Sequence, residues 1–211
     1  MKKNLLRGMI ALSLFLLPQL ASAQAPNLGT AANFVLLTTV GAVTNSGTAH
    51  LTHLTGHVGS NVGSSTGFGN VDGVMHDGDG TSGTASADLL LAYIQLNTAT
   101  PTFFPSSALG GGATLVPGVY SIPAAATLSS DLILDGQGDP NALFIFQING
   151  SLATAANSKV KLINGALACN VFWKVEGLVS MASGTFMRGT IVAHNAAINM
   201  SALDSLEGRA L

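Results

Sequence analysis

The stretch LILDGQGDPNALFIFQINGSLATAANSKVKLINGALACNVFWKV, residues 132–175, decides the fold. Four β-rich runs, at 132–134, 143–148, 159–163 and 171–175, are separated by Gly, Asn, Asp, Ser and Ala. In the second run Phe144, Phe146 and Ile148 share one face of a strand. In the fourth, Val171, Trp173 and Val175 share a face and Lys174 lies opposite. Short, charge-poor strands punctuated by turn residues predict an all-β architecture, closed or stacked, rather than an α/β enzyme core.

Composition agrees with that reading outward from the stretch. Charged residues make up 9% of the 211, against about 25% in an average soluble domain. The net charge of −2 and the lack of a basic stripe exclude a nucleic-acid footprint. Lys159 and Lys161 read as the solvent side of one strand. Gly, Ala, Ser, Thr and Asn take the place of charge, so solubility must come from neutral hydrogen-bonding groups. The single cysteine, Cys169, excludes an intrachain disulfide and reads as a small buried hydrophobe.

Residues 1–23 have the form of an export leader: Lys2, Lys3 and Arg7, an apolar run over 8–17, then Ala21-Ser22-Ala23. The mature chain is expected from about Gln24, secreted or attached to a cell surface, with no membrane span after cleavage. Residues 28–59 predict two or three short strands and residues 59–83 a glycine-rich loop. Leu89, Leu90, Tyr93, Ile94 and Leu96 then form a stripe at helical spacing, predicting a helix over about 84–98, capped by Thr84 or Ser86 and stopped by Pro101. Strands resume at 115–122 and 127–134, and again after the central stretch at 178–183, 185–193 and 197–201, with a last one beginning at 206. Their unequal spacing implies stacked coils without a fixed period.

Reactive motifs fail on context. Gly63-Ser64-Ser65-Thr66-Gly67 matches G-x-S-x-G but lacks the strand-turn-helix setting of a nucleophile elbow. His50, His53 and His57 do not converge on one strand face. Asp72, Asp77 and Asp79 offer carboxylates to a hard cation, yet the Asp-Gly pairs read as turns. Asp135 and Asp139 sit in Asp135-Gly136-Gln137-Gly138-Asp139-Pro140, also a turn composition. No catalytic, cofactor or metal site is expected.

Several segments in order, Leu28-Gly29-Thr30-Ala31-Ala32-Asn33-Phe34, Leu109-Gly110-Gly111, Leu115-Val116-Pro117-Gly118-Val119-Tyr120, residues 132–147, Ala168-Cys169-Asn170-Val171-Phe172-Trp173, Gly189-Thr190-Ile191-Val192-Ala193 and Gly208-Arg209-Ala210-Leu211, resemble the DUF3494 family of ice-binding proteins. The resemblance implies a right-handed β-solenoid of roughly triangular section with one long helix packed alongside, and no cofactor. It also implies a single domain over 24–211, shortened at its C-terminal end, because the family's pattern continues past Gly-Arg-Ala-Leu. The partner implied is the surface of an ice crystal, met by a monomer.

Family members often carry Thr-Ala/Gly-x-Thr/Asn steps on the ice-contacting face, and Thr154-Ala155-Ala156-Asn157 matches one. The candidate face residues are therefore Thr154 and Asn157, then Ser183 and Thr185, then Thr44, Ser46 and Thr48. Stacked strands would present stiff threonines on a grid of ~4.8 Å by ~6.6 Å. The competing reading is a surface adhesion or structural module on the same scaffold without affinity for ice.

Overall fold

The computed structural model describes residues 24–48 and 51–211. The expected leader (1–23) and His50 lie outside the described residues. In chain order the elements are β1 (Phe34–Thr38), β2 (Val43–Thr44), β3 (Leu54–Thr55), β4 (His57–Ser60), β5 (Ser65–Thr66), β6 (Val71–Asp72), β7 (Met75–Asp77) and α1 (Gly80–Thr98). Then follow β8 (Ala108–Leu109), β9 (Thr114–Leu115), β10 (Gly118–Ile122), β11 (Ala126–Leu128), β12 (Leu132–Asp135), β13 (Phe144–Ile148), β14 (Leu152–Thr154) and β15 (Val160–Ile163). The last are β16 (Val171–Val175), β17 (Val179–Ser180), β18 (Phe186–Ala193), β19 (Ile198–Asn199) and β20 (Ser205–Ala210).

All strand pairs are parallel, each strand lying on one from a neighbouring coil, so the chain is a three-sided β-solenoid. The first face is an eight-stranded sheet in the order β10-β13-β16-β18-β20-β1-β4-β7. The second carries β8-β11-β14-β17-β19 and, by connectivity, the pair β2-β5. The third carries β9-β12-β15 and β3-β6, joined by the leading halves of β18 and β20.

Chain order and stacking order differ. The N-terminal coils sit at one end, the remaining coils start from the other, and the two meet where Ala210 pairs with Leu36. α1 makes the connection along the side. Its 19 residues span about 28 Å, close to the ~34 Å that eight strands require at ~4.8 Å each.

Inside the solenoid the inward positions form an aromatic ladder. Tyr120, Phe146 and Trp173 occupy one register line. Phe146 and Trp173 stack at 4.0 Å between ring centroids, and Tyr120 adds a ring at 5.1 Å from Phe146. The alternation in 144–148 and 171–175 thus points Phe144, Phe146, Ile148, Val171, Trp173 and Val175 into this core. The opposite positions, Ile145 and Phe172, are buried too, because α1 covers the outside of the first face.

Four expectations are corrected. The helix begins at Gly80, where Asp79 closes a capping box with Ser82; Thr84 and Ser86 lie inside it. Its buried stripe is Ser82, Ala85, Leu89, Ala92 and Leu96, while Leu90 and Ile94 are exposed, since small alanines let the helix lie close to the sheet. Residues 59–83 hold the end of β4 together with β5, β6 and β7, not a loop; their short runs are held by pairing to the coil beneath. Cys169 is exposed, because it sits in a one-turn 3-10 segment at a corner instead of on an inward strand position.

Candidate functional site

The three faces differ sharply in what they show to solvent. The first is covered by α1. The third carries ion pairs: Lys161 with Asp131 at 2.6 Å and Arg188 with Glu207 at 2.7 Å, with exposed Lys159 alongside. Among the described residues the second face bears no ionisable group on its outward positions.

Strand alternation fixes those positions. In β11, Ala126 and Leu128 are buried and Thr127 is exposed; in β17, Val179 is buried and Ser180 exposed. The register then places Ala108, Thr127, Ala153, Ser180 and Asn199 in one line across five strands. Thr44 and Thr66 are paired likewise on β2 and β5. Extending the pairing by two residues gives flanking lines, Ala125-Ser151-Leu178-Ala197 on one side and Ser129-Ala155-Ala182-Ser201 on the other. Neighbours across strands are ~4.8 Å apart and successive lines ~6.6 Å apart. The outcome is a grid of hydroxyl, methyl and carboxamide groups, with Leu178 its largest side chain.

The sequence candidates fall on different sides of this surface. Thr154 and Thr185 are buried, at 7% and 0% exposure, which corrects their assignment to a contact face. Their hydroxyls lie 2.7 Å apart, and Thr154 Oγ1 also accepts the Ala182 N–H at 2.9 Å. Thr154 is an even step from inward Leu152, so its parity points it into the core. Asn157 and Ser183 are exposed and neighbours, joined by the Asn157 N–H donating to the Ser183 carbonyl at 3.1 Å. Both stand at the corner after the second face, where Asn157 adopts a left-handed φ of 62°. Thr44, Ser46 and Thr48 are exposed, with Thr44 on the β2-β5 pair, a sheet separate from that of β14 and β17.

Sequence reading missed Thr127, Ala153, Ser180, Asn199 and Thr66. The alternation around Ala126-Thr127-Leu128 was available as a signal. The coil-to-coil register that lines these residues up was not, because coil lengths are unequal.

Several carboxylates singled out by the sequence are engaged within the fold. Asp77 accepts from the Ser60 and Ser65 backbone N–H groups at 3.1 and 2.7 Å and from Ser65 Oγ at 2.7 Å. Asp79 accepts from the Ser82 N–H at 2.8 Å and lies 2.6 Å from His76 Nδ1, which together hold its carboxyl down at about 2. Asp135 and Asp139 each accept the backbone N–H two residues on, the turn role expected of them. Among the described residues no three His, Cys, Asp or Glu side chains converge as a metal site.

One polar cluster lies beneath α1. Glu176 receives Lys174 Nζ at 2.5 Å and Tyr93 Oη at 2.7 Å on one oxygen, with His194 Nδ1 at 2.9 Å from the other. Burial pushes the Glu176 carboxyl up, but the bonds from Lys174, Tyr93 and His194 outweigh it and hold it at about 2.

A model of the ice-binding-like family matches residues 37–211. The chain belongs to that family. It is 39% identical over 175 residues to an ice-binding protein of Nostoc sp. (strain HG1), covering 82% of this chain and 63% of that protein. It is 32% identical to ice-binding protein K3-B1 of Typhula ishikariensis, over 83% of this chain and 80% of that one. The crystal structure of an ice-binding protein from an Antarctic Flavobacteriaceae bacterium superimposes with a TM-score of 0.86 at 58% identity, over 89% of this chain and 44% of that chain. One from Antarctomyces psychrotrophicus gives 0.75 at 31% identity, over 88% and 97%. This member of the ice-binding-like family thus spans under two thirds of the Nostoc protein and under half of the Flavobacteriaceae chain.

Proposed function

We propose that the protein adsorbs to ice through its second face and thereby halts crystal growth and recrystallisation. The observation that carries this reading is the uncharged, in-register line Ala108-Thr127-Ala153-Ser180-Asn199. An ionised side chain orients its hydration shell radially, which conflicts with lattice order. A fixed hydroxyl can hold one water in place, and neighbouring methyl groups favour a caged, ordered layer. Threonine supplies both groups on a stiff side chain. Strands one residue out of register would scatter these groups, so pairing sets their spacing.

Adsorption requires no reactive centre and no cofactor, and the neutral face fits a binding role rather than an enzymatic one. A molecule fixed at the crystal surface forces ice to grow as curved fronts between neighbours, which lowers the freezing point locally. Export by residues 1–23 would put the protein where external ice forms. Asn157, Ser183, Thr44, Ser46 and Thr48 would then stand at the margins of the contact, and Thr127, Ala153 and Ser180 at its centre. An adhesion module would instead keep its binding when the second face is blocked.

Thermal hysteresis of the purified protein and of Ala153→Tyr tests the proposal. The phenol would stand proud of the grid, so hysteresis should fall several-fold with unchanged thermal stability. Equal hysteresis in both would remove the second face from the contact.

A further inference from the structure

The cluster under α1 has a chemistry that adsorption does not use. Lys174 points out of the first face yet is only 1% exposed. Its ammonium lies 3.0 Å from Asn149 Oδ1 and 2.5 Å from Glu176 Oε1, with the Tyr93 ring centroid 5.8 Å away. Register explains the convergence. Gln147 pairs with Lys174 and Ile148 with Val175, so Asn149 faces Glu176 across one inter-strand step, and Lys174 stands diagonal to Asn149.

We propose that Lys174 and Asn149 form an intramolecular amide cross-link between adjacent coils, with Glu176 as the proton carrier. Glu176, ionised in the resting state, takes a proton from the Lys174 ammonium. The freed amine attacks the Asn149 carboxamide carbon and a C–N bond forms. The tetrahedral adduct collapses with cleavage of the original C–NH2 bond. The proton held by Glu176 passes to the departing nitrogen, which leaves as ammonia, and the extra proton of the attacking nitrogen moves to Glu176, which ends neutral beside the new amide. Atoms and charge balance with no oxidant, metal or cofactor.

Each neighbour has a part. Tyr93 roofs Lys174 and donates to the same Glu176 oxygen, keeping water from the amine. Asn149 is exposed, so ammonia has an exit. Parallel pairing holds both strands in place, which replaces a chance encounter by a fixed approach. Neutralising the ion pair before attack is costly, so the bond forms slowly after folding.

The test is peptide mapping by mass spectrometry of the purified protein, sampled fresh and after prolonged incubation. The expected result is a cross-linked species lighter than the sum of its two peptides by one ammonia. It joins the segment containing Asn149 to the segment containing Lys174, and tryptic cleavage after Lys174 is lost. Lys174→Arg and Asn149→Ala should abolish it, and Glu176→Gln should slow it at least tenfold while circular dichroism stays native. Because Asn149 is exposed, its alanine variant tests the link without threatening the fold. Separate peptides of full mass after incubation would overturn the proposal. So would loss of ammonia confined to Asn149-Gly150 with Lys174 still cleavable, which marks succinimide formation instead.

Discussion

Thr154 Oγ1 lies 2.7 Å from Thr185 Oγ1, and both side chains are inside the protein. This pair links coils at the corner between the neutral and the charged face. Ala182 and Ala155 complete it, since Thr154 Oγ1 accepts the Ala182 N–H and Thr185 Oγ1 is 3.5 Å from the Ala155 carbonyl. The Thr-Ala-x-Asn step therefore serves the scaffold at its first residue, while Ala156 and Asn157 are exposed.

Thr154→Val should cost about 1–3 kcal/mol, because it leaves the Ala182 N–H without its acceptor and removes one of the partners of the Thr185 hydroxyl. Urea unfolding checks the loss. Hysteresis per folded molecule should be unchanged, since no ice-facing group is removed.

Position on the solenoid should decide the effect of bulk. Ser180→Tyr is expected to lower hysteresis several-fold, whereas Lys161→Tyr on the charged third face should leave it intact. Both sites are exposed, so melting temperatures should match the parent. Comparing the two variants in one hysteresis assay separates a face-specific contact from general adsorption.

The inward alternation was legible in the central stretch. Phe144, Phe146 and Trp173 could be placed in the core from period two alone, because a strand with one buried side writes that period. The helix start at Asp79 was also written in the sequence, as an aspartate with a serine three residues on, but its glycine-rich surroundings read as loop. The outward grid was less legible. Thr127 and Ser180 are ordinary strand residues until pairing through Ala153 sets them in line, and pairing depends on corners of unequal length. Thr154 misled because composition records which residues are present, whereas parity decides which side they face.

Acid should loosen the helix. The Glu176 carboxyl is at about 2 in the fold, below its ordinary 4.5. A depressed carboxyl gives stability that is complete above the unfolded value and is lost as pH falls towards the folded one. The melting temperature should therefore decline between about pH 4.5 and pH 2, and Glu176→Gln should flatten that part of the profile. A thermal melt series over this range, followed by far-ultraviolet circular dichroism, measures it.

Gly189 sets the bend within β18 as it passes from the third face to the first. Its φ is 109°, and a Cβ there would stand 2.5 Å from the Val171 carbonyl oxygen. Gly189→Ala should destabilise by more than about 1 kcal/mol, since both the conformation and the space refuse a side chain. Denaturant midpoints of the two proteins give the comparison.

Ice-affinity partition tests the central claim most directly. A slowly grown ice front in a dilute solution of the protein should take it up far above the level of a non-binding control. Ala153→Tyr should remain largely in the liquid while the folded Lys161→Tyr enters the ice. Exclusion of the parent protein from the front, or equal uptake of both variants, would contradict the assignment of the neutral face to frozen water.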